Sequence, residues 1–246
     1  PPLEIPNPGN PNIPYQILII SMTEDEEKYI GTPRKILITC GLTIMILVVA
    51  VLISNTATAE ITSESICLII VSGNGGYSTG ELEKASSFFD YVNETLDRDD
   101  IRYLTTTLDS ESQGPANISN VENSFQWLEN NCQSSDEVII YISDHAKRLF
   151  NETYFSFDDG DISTSTIDSW IDEINCVHTT VIINGEKSGL GGIDLQESSR
   201  DVICSMEHDQ EFDPDLFNIT RSLKDPSADT NNDEVVDFIE AFWREN

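Results

Sequence analysis

The chain has 246 residues, of which 44 are acidic and 13 are basic, so its formal net charge is -31. That charge excludes a surface for nucleic acid or anionic lipid, because binding to phosphates needs lysine and arginine side chains that release counterions. The acidic residues are interpreted instead as a solvated shell, whose internal repulsion dissolved salt would screen.

The amino-terminal part differs in composition from the rest, which has the length of one ordinary domain. Residues 1–35 are predicted to be a disordered cytoplasmic leader that begins with proline and asparagine, and Met22 is a possible initiator within it. The apolar run Ile36 to Ile53 follows, and its length predicts a transmembrane segment over residues 36–54. A linker over residues 55–64 then leads into the domain.

Basic residues flank this apolar run on its amino side, at Arg34 and Lys35. By the positive-inside rule, that asymmetry keeps the leader in the cytoplasm and exports everything after the run. Two interpretations fit. A retained signal anchor makes a single-pass protein of the cell membrane, whereas a signal peptide cleaved after Ala59 makes a secreted protein. Both place the domain outside the cytoplasm.

Export gives a context to two further sequence features. Asn-X-Ser/Thr acceptor sequences for N-glycosylation occur at Asn93, Asn117, Asn151 and Asn218. Four cysteines also lie in the exported part, and an even number of cysteines outside the cytoplasm permits disulfides.

Strands and helices alternate from residue 65 onward. Apolar runs typical of buried strands occur at Ile66–Ser72, Ile101–Thr107, Val138–Ser143, Val181–Ile183 and Val202–Ser205. Helices are predicted after Ser78, Gly114 and Ser163, and Phe150–Phe157 is predicted to be a short extended excursion. This order predicts an α/β domain over residues 65–224, with a mainly parallel sheet and helices on both of its faces.

Two cysteines each precede a predicted strand. Cys132 lies just before the third strand and Cys176 just before the fourth, so both would lie at one edge of the sheet if those strands are parallel neighbours. A Cys132–Cys176 disulfide is therefore predicted, whereas Cys67 and Cys204, which lie within strands, are predicted to be buried thiols.

Polar residues follow the strands where ligands of parallel sheets gather, beyond the carboxyl ends. Asn74 follows the first strand, His145 the third, and Gly185 and Glu186 the fourth. The other two histidines of the chain, His178 and His208, are predicted to lie in loops. The strand ends therefore predict a single cleft that contains an imidazole and a carboxylate.

These residues resemble the legumain-like asparaginyl endopeptidases, a family of caspase-fold cysteine peptidases. The resemblance covers residues 65–242. It includes the strand-ending Asp144-His145, a later strand that ends in x-Ser-Gly at Ser188-Gly189, and a Gly-Asn-Gly turn at Asn74. It implies a three-layer, caspase-like sandwich in which His145 assists a nucleophilic cysteine.

The sequence departs from the family where the nucleophile is expected. Glu186 occupies the position of the cysteine, and Ala146 replaces the usual glycine after the histidine. Amide cleavage by this route requires a thiolate, so we expect a pseudopeptidase whose cleft, lined by Asn74, His145, Glu186, Gly185 and Ala146, binds peptides or a related active peptidase. The alternatives are a cysteine-type endopeptidase with a non-standard nucleophile such as Cys204, and a purely structural surface protein.

The carboxyl-terminal segment, residues 225–246, contains a twelve-residue pattern of oxygen ligands that ends in a helix over Val236–Arg244. The predicted Ca²⁺ ligands are Asp229, Asn231, Asp233, the Val235 carbonyl, Asp237 and Glu240. Glu234 stands at the sixth position, where calcium loops usually have glycine, and must either adopt a strained backbone or distort the loop, which weakens the site. The alternative is an acidic linker that leads into a helix.

Overall fold

The computed structural model describes residues 61–62, 64–72, 79–107, 110–206 and 217–245. The predicted leader and transmembrane segment, as well as Asn74, lie outside these ranges. Among the helices of the described part, none has the length and apolar character needed to cross a bilayer.

The described residues form eight strands. They are β1 Ser65–Val71, β2 Ile101–Thr105, β3 Glu137–Ser143, β4 Ala146–Leu149, β5 Glu152–Phe157, β6 Gly160–Ser163, β7 His178–Asn184 and β8 Arg200–Cys204. Five of them form a sheet in the order β2-β1-β3-β7-β8, in which every pairing is parallel. The other three form a small antiparallel sheet in the order β4-β5-β6. The predicted mainly parallel sheet is confirmed.

Six α-helices cover the large sheet. They are α1 Thr79–Val92, α2 Ile118–Asn131, α3 Thr164–Asp172, α4 Ser188–Leu195, α5 Ile219–Leu223 and α6 Phe238–Glu245. Apolar residues of α1, α5 and α6 form one core with the sheet, whereas α2, α3, α4 and the small sheet form the other. Helices therefore lie on both faces, as the sequence predicts.

Strand β3 shows why the apolar runs predict these strands. Its even-numbered residues Val138, Ile140 and Ile142 belong to one core, and Ile139 and Tyr141 belong to the other. A strand that is buried on both faces has no place for alternating polar residues, so its sequence is continuously apolar.

The strand order also determines where a ligand can bind. From β1 the chain adds β2 on one side, and then crosses to the other side to add β3. The direction of winding reverses between β1 and β3, and in open parallel sheets a crevice lies outside the carboxyl ends of the strands at such a reversal.

Three local structures differ from the sequence-based expectations. The excursion at Phe150–Phe157 is strand β5 with flanking partners β4 and β6, and the glycine-rich turn after β7 contains helix α4. Helix α6 begins at Phe238 and not at Val236, because Asp237 precedes its first turn and accepts a hydrogen bond from the amide of Glu240 at 2.8 Å.

Candidate functional site at the strand tips

Backbone hydrogen bonds join the tips of β3 and β7, which are neighbours in the sheet. The amide of Asp144 donates to the carbonyl of Asn184 at 3.1 Å, and the amide of Ala146 donates to the carbonyl of Glu186 at 3.0 Å. His145 lies between these two bonds along the chain. The structure therefore brings together His145, Ala146 and Glu186, which the sequence predicts to share a cleft.

The imidazole of His145 faces the tip of β7. The backbone amide of Glu186 donates to Nδ1 of His145 at 3.3 Å, so the neutral ring has its proton on Nε2. A carboxylate oxygen of Glu186 lies 4.0 Å from the same Nδ1. Both side chains are partly open to solvent, with 26% of His145 and 34% of Glu186 exposed. A group at the tip of β7 is thus within reach of the histidine.

The carboxylate of Glu186 interacts most closely with Lys187, whose Nζ lies 2.9 Å from it. The hydrogen bond from Lys187 lowers the pKa of Glu186, partial burial opposes that shift, and the charge of Lys187 adds to it. Lys187 has a φ of 57°, in the left-handed region, and it turns the chain sharply from β7 into α4. The tip therefore presents an ionised carboxylate, which is a weak nucleophile toward an amide.

Gly185 has no space for a side chain. A Cβ built on it would lie 2.0 Å from the carbonyl oxygen of Asp144. Its amide donates to the buried Ser205 Oγ at 3.0 Å, and that hydroxyl lies 3.4 Å from the hydroxyl of Ser188. Ser188 also accepts from the amide of Met206 at 2.9 Å. Ser188 and Ser205 therefore hold β7, α4 and β8 together, and their burial makes them unavailable as nucleophiles.

Cys204 is unsuitable as a replacement nucleophile. Its sulfur packs against α4 so closely that a Cβ added to Gly192 would lie 2.3 Å from it. Burial raises the pKa of the Cys204 thiol to about 12, so the thiol is protonated at neutral pH. Cys204 is only partly buried, but a reactive cysteine also needs an electropositive environment that lowers its pKa.

Three buried polar atoms at the same strand ends have no hydrogen-bond partner among the described residues. They are Ser143 Oγ, Asp144 Oδ2 and Asn184 Oδ1. Ser143 and Asn184 are register partners in β3 and β7, and Asn184 donates its amide hydrogen to the Tyr141 hydroxyl at 3.1 Å. Burial raises the pKa of Asp144 well above its usual value, although the amides of His145 and Ser156 counteract that shift.

The predicted site residues do not include these three, although the sequence places all three in the same neighbourhood. The available signal was that each comes within two residues of the end of an apolar run in β3 or β7. Buried polar groups normally have partners, so unpaired ones at the carboxyl ends of parallel strands indicate a place where a ligand or water completes the hydrogen bonding.

The predicted modification sites lie in different environments. Asn93 and Asn151 are exposed, as glycan acceptors must be. Asn117 and Asn218 are partly buried, and their side chains accept hydrogen bonds as the N-caps of α2 and α5. A glycan on Asn117 or Asn218 would have to leave the side-chain oxygen free to accept the capping hydrogen bond.

Cysteines 67, 132, 176 and 204 are all free thiols in the structure. Cys67 is buried in β1, as predicted, whereas Cys204, which was also predicted to be a buried thiol, is only partly buried. Cys132 and Cys176 are neighbours whose thiols influence each other's pKa without a covalent bond between them. Their adjacency at one edge of the sheet agrees with the sequence prediction, and the disulfide itself stays a prediction.

The predicted calcium loop has its carboxylates turned toward its own backbone. Asp229 accepts hydrogen bonds from the amides of Asn232 and Glu234 at 2.6 and 3.1 Å. Glu240, in α6, accepts from the amide of Thr230 at 2.8 Å. Glu234 has a φ of 74°, which is the strained conformation expected at the sixth position. The other predicted ligands, Asn231, Asp233, Val235 and Asp237, lie along the same loop.

A different group of acidic residues could hold a metal ion. Asp168, Asp172 and Glu197 each offer a carboxylate oxygen within 4.8 Å of the others, which is the one such group among the described residues. The guanidinium of Arg200 binds both aspartates and is almost completely buried. Arg200 therefore already supplies positive charge to these carboxylates.

Compared with known proteins, the chain matches no family model, and the search of curated proteins gives no match. Its function is therefore inferred from the geometry of the strand tips.

Proposed function

We propose that the chain is an exported pseudopeptidase of the legumain-like, caspase-fold type, which binds peptides in the cleft at the strand tips. The observation that supports this most directly is the position of Glu186. Its amide lies 3.3 Å from Nδ1 of His145, where a thiol could transfer a proton to the ring, yet its side chain is a carboxylate. On this proposal, His145 is the retained base, and Glu186 occupies the position of the lost nucleophile.

The fold is compatible with that proposal. A parallel sheet with helices on both faces is the layout of a three-layer sandwich, and the carboxyl ends of β3 and β7 meet at the histidine. Membrane anchoring through residues 36–54, with the domain outside the cytoplasm, and N-glycosylation belong to the same proposal and rest on the sequence alone.

Peptide binding is supported by the unpaired polar atoms. Ser143, Asp144 and Asn184 offer buried oxygens that a ligand with N–H groups could satisfy. Each such bond contributes about 1 kcal/mol when it is made, and an unmet buried group costs about 1–3 kcal/mol. A peptide, with its backbone and side-chain amides, supplies donors of this kind.

The proposal predicts binding without cleavage. The purified chain, incubated with a random peptide library, should retain selected peptides and give no cleavage that a thiol-alkylating agent suppresses. Ser143→Ala should weaken binding of a selected peptide about fivefold, as expected for the loss of about 1 kcal/mol. The fold should be unaffected, because this hydroxyl has no partner among the described residues. Fluorescence anisotropy measures the binding.

The matched control is Thr153→Val. This change also removes a buried hydroxyl that has no partner among the described residues, but it does so in β5 and not in β3 or β7. It should leave peptide binding unchanged. Alkylation-sensitive peptide cleavage by the unmodified chain would refute the pseudopeptidase and favour the alternative of an endopeptidase with a non-standard nucleophile.

The loop of residues 229–240 is proposed as a Ca²⁺ site that stabilises the attachment of α6. Four carboxylates, an amide oxygen and a backbone carbonyl match the preference of calcium for six or more hard oxygens. The loop already curves around Asp229, whose two carboxylate oxygens accept amides three and five residues later. Bound calcium would neutralise the acidic loop and need not take part in any reaction.

Millimolar calcium should therefore raise the melting temperature by about 5 °C or more, since saturation at a hundred times the dissociation constant adds about 2.7 kcal/mol. Glu234→Gly should increase that effect, because glycine adopts the positive φ of this position without strain. Asp233→Ala should abolish it. Glu197→Gln is the control, since it alters the other acidic group. Differential scanning fluorimetry with and without chelator measures these shifts. If only Glu197→Gln abolished the rise in melting temperature, the metal would be assigned to the group of Asp168, Asp172 and Glu197.

A further inference from the structure

Cys132 and Cys176 lie at the amino edge of the sheet, which is the opposite end from His145. Cys132 is the C-cap residue of α2, and Cys176 comes two residues before β7. The two segments are joined there, because the amide of Val177 donates to the carbonyl of Asp136 at 2.9 Å. Both cysteines are partly buried, so each retains contact with solvent.

The two thiols have unequal surroundings. The sulfur of Cys176 lies 3.2 Å from the hydroxyl of Thr179, whereas the thiol of Cys132 donates to the carbonyl of Gln133 at 3.5 Å. The neighbouring Cys132 thiol, the Thr179 hydroxyl, and the charge and amide of His178 lower the pKa of Cys176 to about 6. The neighbouring Cys176 and burial raise the pKa of Cys132.

A histidine and an aspartate support this arrangement. Nε2 of His178 lies 3.0 Å from a carboxylate oxygen of Asp201 in β8, and this contact raises the pKa of His178. When it is protonated, the ring places positive charge next to the Cys176 sulfur. Two other charged groups face the pair, Asp136 beside Cys132 and Glu137 beside His178, and both are negative. The negative charge of Asp136 disfavours a thiolate at Cys132, while Glu137 favours the charged form of His178.

We propose that Cys132 and Cys176 are a redox-active dithiol that exchanges with low-molecular-weight disulfides, with Cys176 as the attacking thiolate. This site is independent of the proposed peptide cleft. Its disulfide would form and open reversibly, whereas a structural disulfide stays closed.

The exchange has two steps. The thiolate of Cys176 attacks one sulfur of an external disulfide, a new sulfur–sulfur bond forms, and the other half leaves as a thiolate. Cys132 then gives up its proton to solvent and attacks the Cys176 sulfur, which releases the second half as a thiolate. The two protein thiols are thereby oxidised to one disulfide, and the external disulfide is reduced to two thiols.

The other two described cysteines provide an internal contrast. Cys67 is completely buried in β1, and burial raises its pKa. The sulfur of Cys204 is packed against α4, where burial likewise raises its pKa. Cys204 is partly buried, as Cys132 and Cys176 are, but burial dominates the pKa of Cys204 and Cys67, whereas neighbouring polar groups dominate that of Cys176. Any exchange should therefore be confined to the Cys132–Cys176 pair.

Alkylation kinetics of the purified full chain test the proposal. After reduction and removal of reductant, iodoacetamide at slightly acidic pH should modify Cys176 at least about tenfold faster than Cys204, as resolved by peptide mass spectrometry. His178→Gln should move the pH midpoint of Cys176 alkylation upward, which a merely structural role for His178 would not do.

Oxidised glutathione serves as the external disulfide in the second arm. The unmodified chain should form the Cys132–Cys176 disulfide, and reduced glutathione should reverse it. Cys132→Ser should stop at a mixed disulfide on Cys176, whereas Cys176→Ser should leave Cys132 unmodified over the same period. Serine is close to cysteine in size, and an unchanged melting temperature checks that both variants fold. Equal alkylation rates at Cys176 and Cys204, or a bond that reduced glutathione cannot open, would overturn the proposal.

Discussion

Glu186→Cys should create a thiol at the tip of β7 that reacts with iodoacetamide at neutral pH at least about tenfold faster than Cys204. The reason is geometric. Nδ1 of His145 faces the tip and has no proton in the neutral ring, and a thiol placed there would replace the long, 3.3 Å hydrogen bond that Nδ1 now accepts from the residue's own amide. The substitution also removes the carboxylate that now pairs with Lys187. The measurement is alkylation followed by peptide mass spectrometry.

The experiment is best done in a Cys176→Ser background, so that the proposed dithiol does not consume the reagent. The matched control adds His145→Ala, which should return the rate to that of an ordinary surface thiol. If the alkylation rate stays high without the imidazole, His145 does not act as a base for position 186. The proposal that this position once held a nucleophilic cysteine would then fail.

Gly185→Ala should reduce the free energy of unfolding by about 3 kcal/mol, because overpacking against rigid backbone costs about 1–3 kcal/mol and sometimes more. The added methyl group would lie 2.0 Å from the carbonyl oxygen of Asp144, so the tips of β3 and β7 must separate. For a domain of this size, the melting temperature should fall by about 6–12 °C. Thermal unfolding monitored by circular dichroism measures the change.

Gly160→Ala is the comparison. Its Cβ would meet only the terminal methyl group of Ile118, at 2.9 Å, which a change of rotamer can move away. The loss there should stay below about 1 kcal/mol. Equal losses in the two variants would mean that the tips are not held as closely as their hydrogen bonds indicate.

The sequence predicted the juxtaposition of His145 and Glu186 correctly because both follow strands with a continuous apolar run. Such strands are buried on both faces of a parallel sheet, and their carboxyl ends meet at one edge. The same reasoning placed Cys132 and Cys176 together at the other edge. These predictions needed only the order of the strands and the direction of the chain.

Helix α4 was not predicted, because its glycines resemble those of a turn. In the structure, Gly191 and Gly192 lie where α4 packs against β5 and β8. A Cβ added to Gly191 would come within 2.5 Å of Phe155, and one added to Gly192 would come within 2.3 Å of the sulfur of Cys204. These glycines allow close packing between elements that are distant in sequence. Local propensity cannot distinguish that role from turn formation.

The chemistry of two residues also escaped sequence reasoning. His178 was expected in a loop, but it is the first residue of β7 and lies against Asp201 of β8. Asp144 is covered by neighbours that come from other elements, which leaves one of its oxygens without a described partner. Both environments depend on which strands are adjacent, and a single sequence does not fix that order.

The burial of Asp144 has a consequence for the behaviour of the protein in acid. Acidification usually unfolds proteins, because paired carboxylates lose their partners when they take up protons. Burial raises the pKa of Asp144 in the folded chain, so the folded state binds this proton before the unfolded chain does. The residue's contribution to stability grows as the pH falls from the folded pKa toward about 4, and it is lost as the pH rises through the folded value. Protonation elsewhere on a chain of net charge -31 also lessens repulsion, so mildly acidic surroundings should favour this domain.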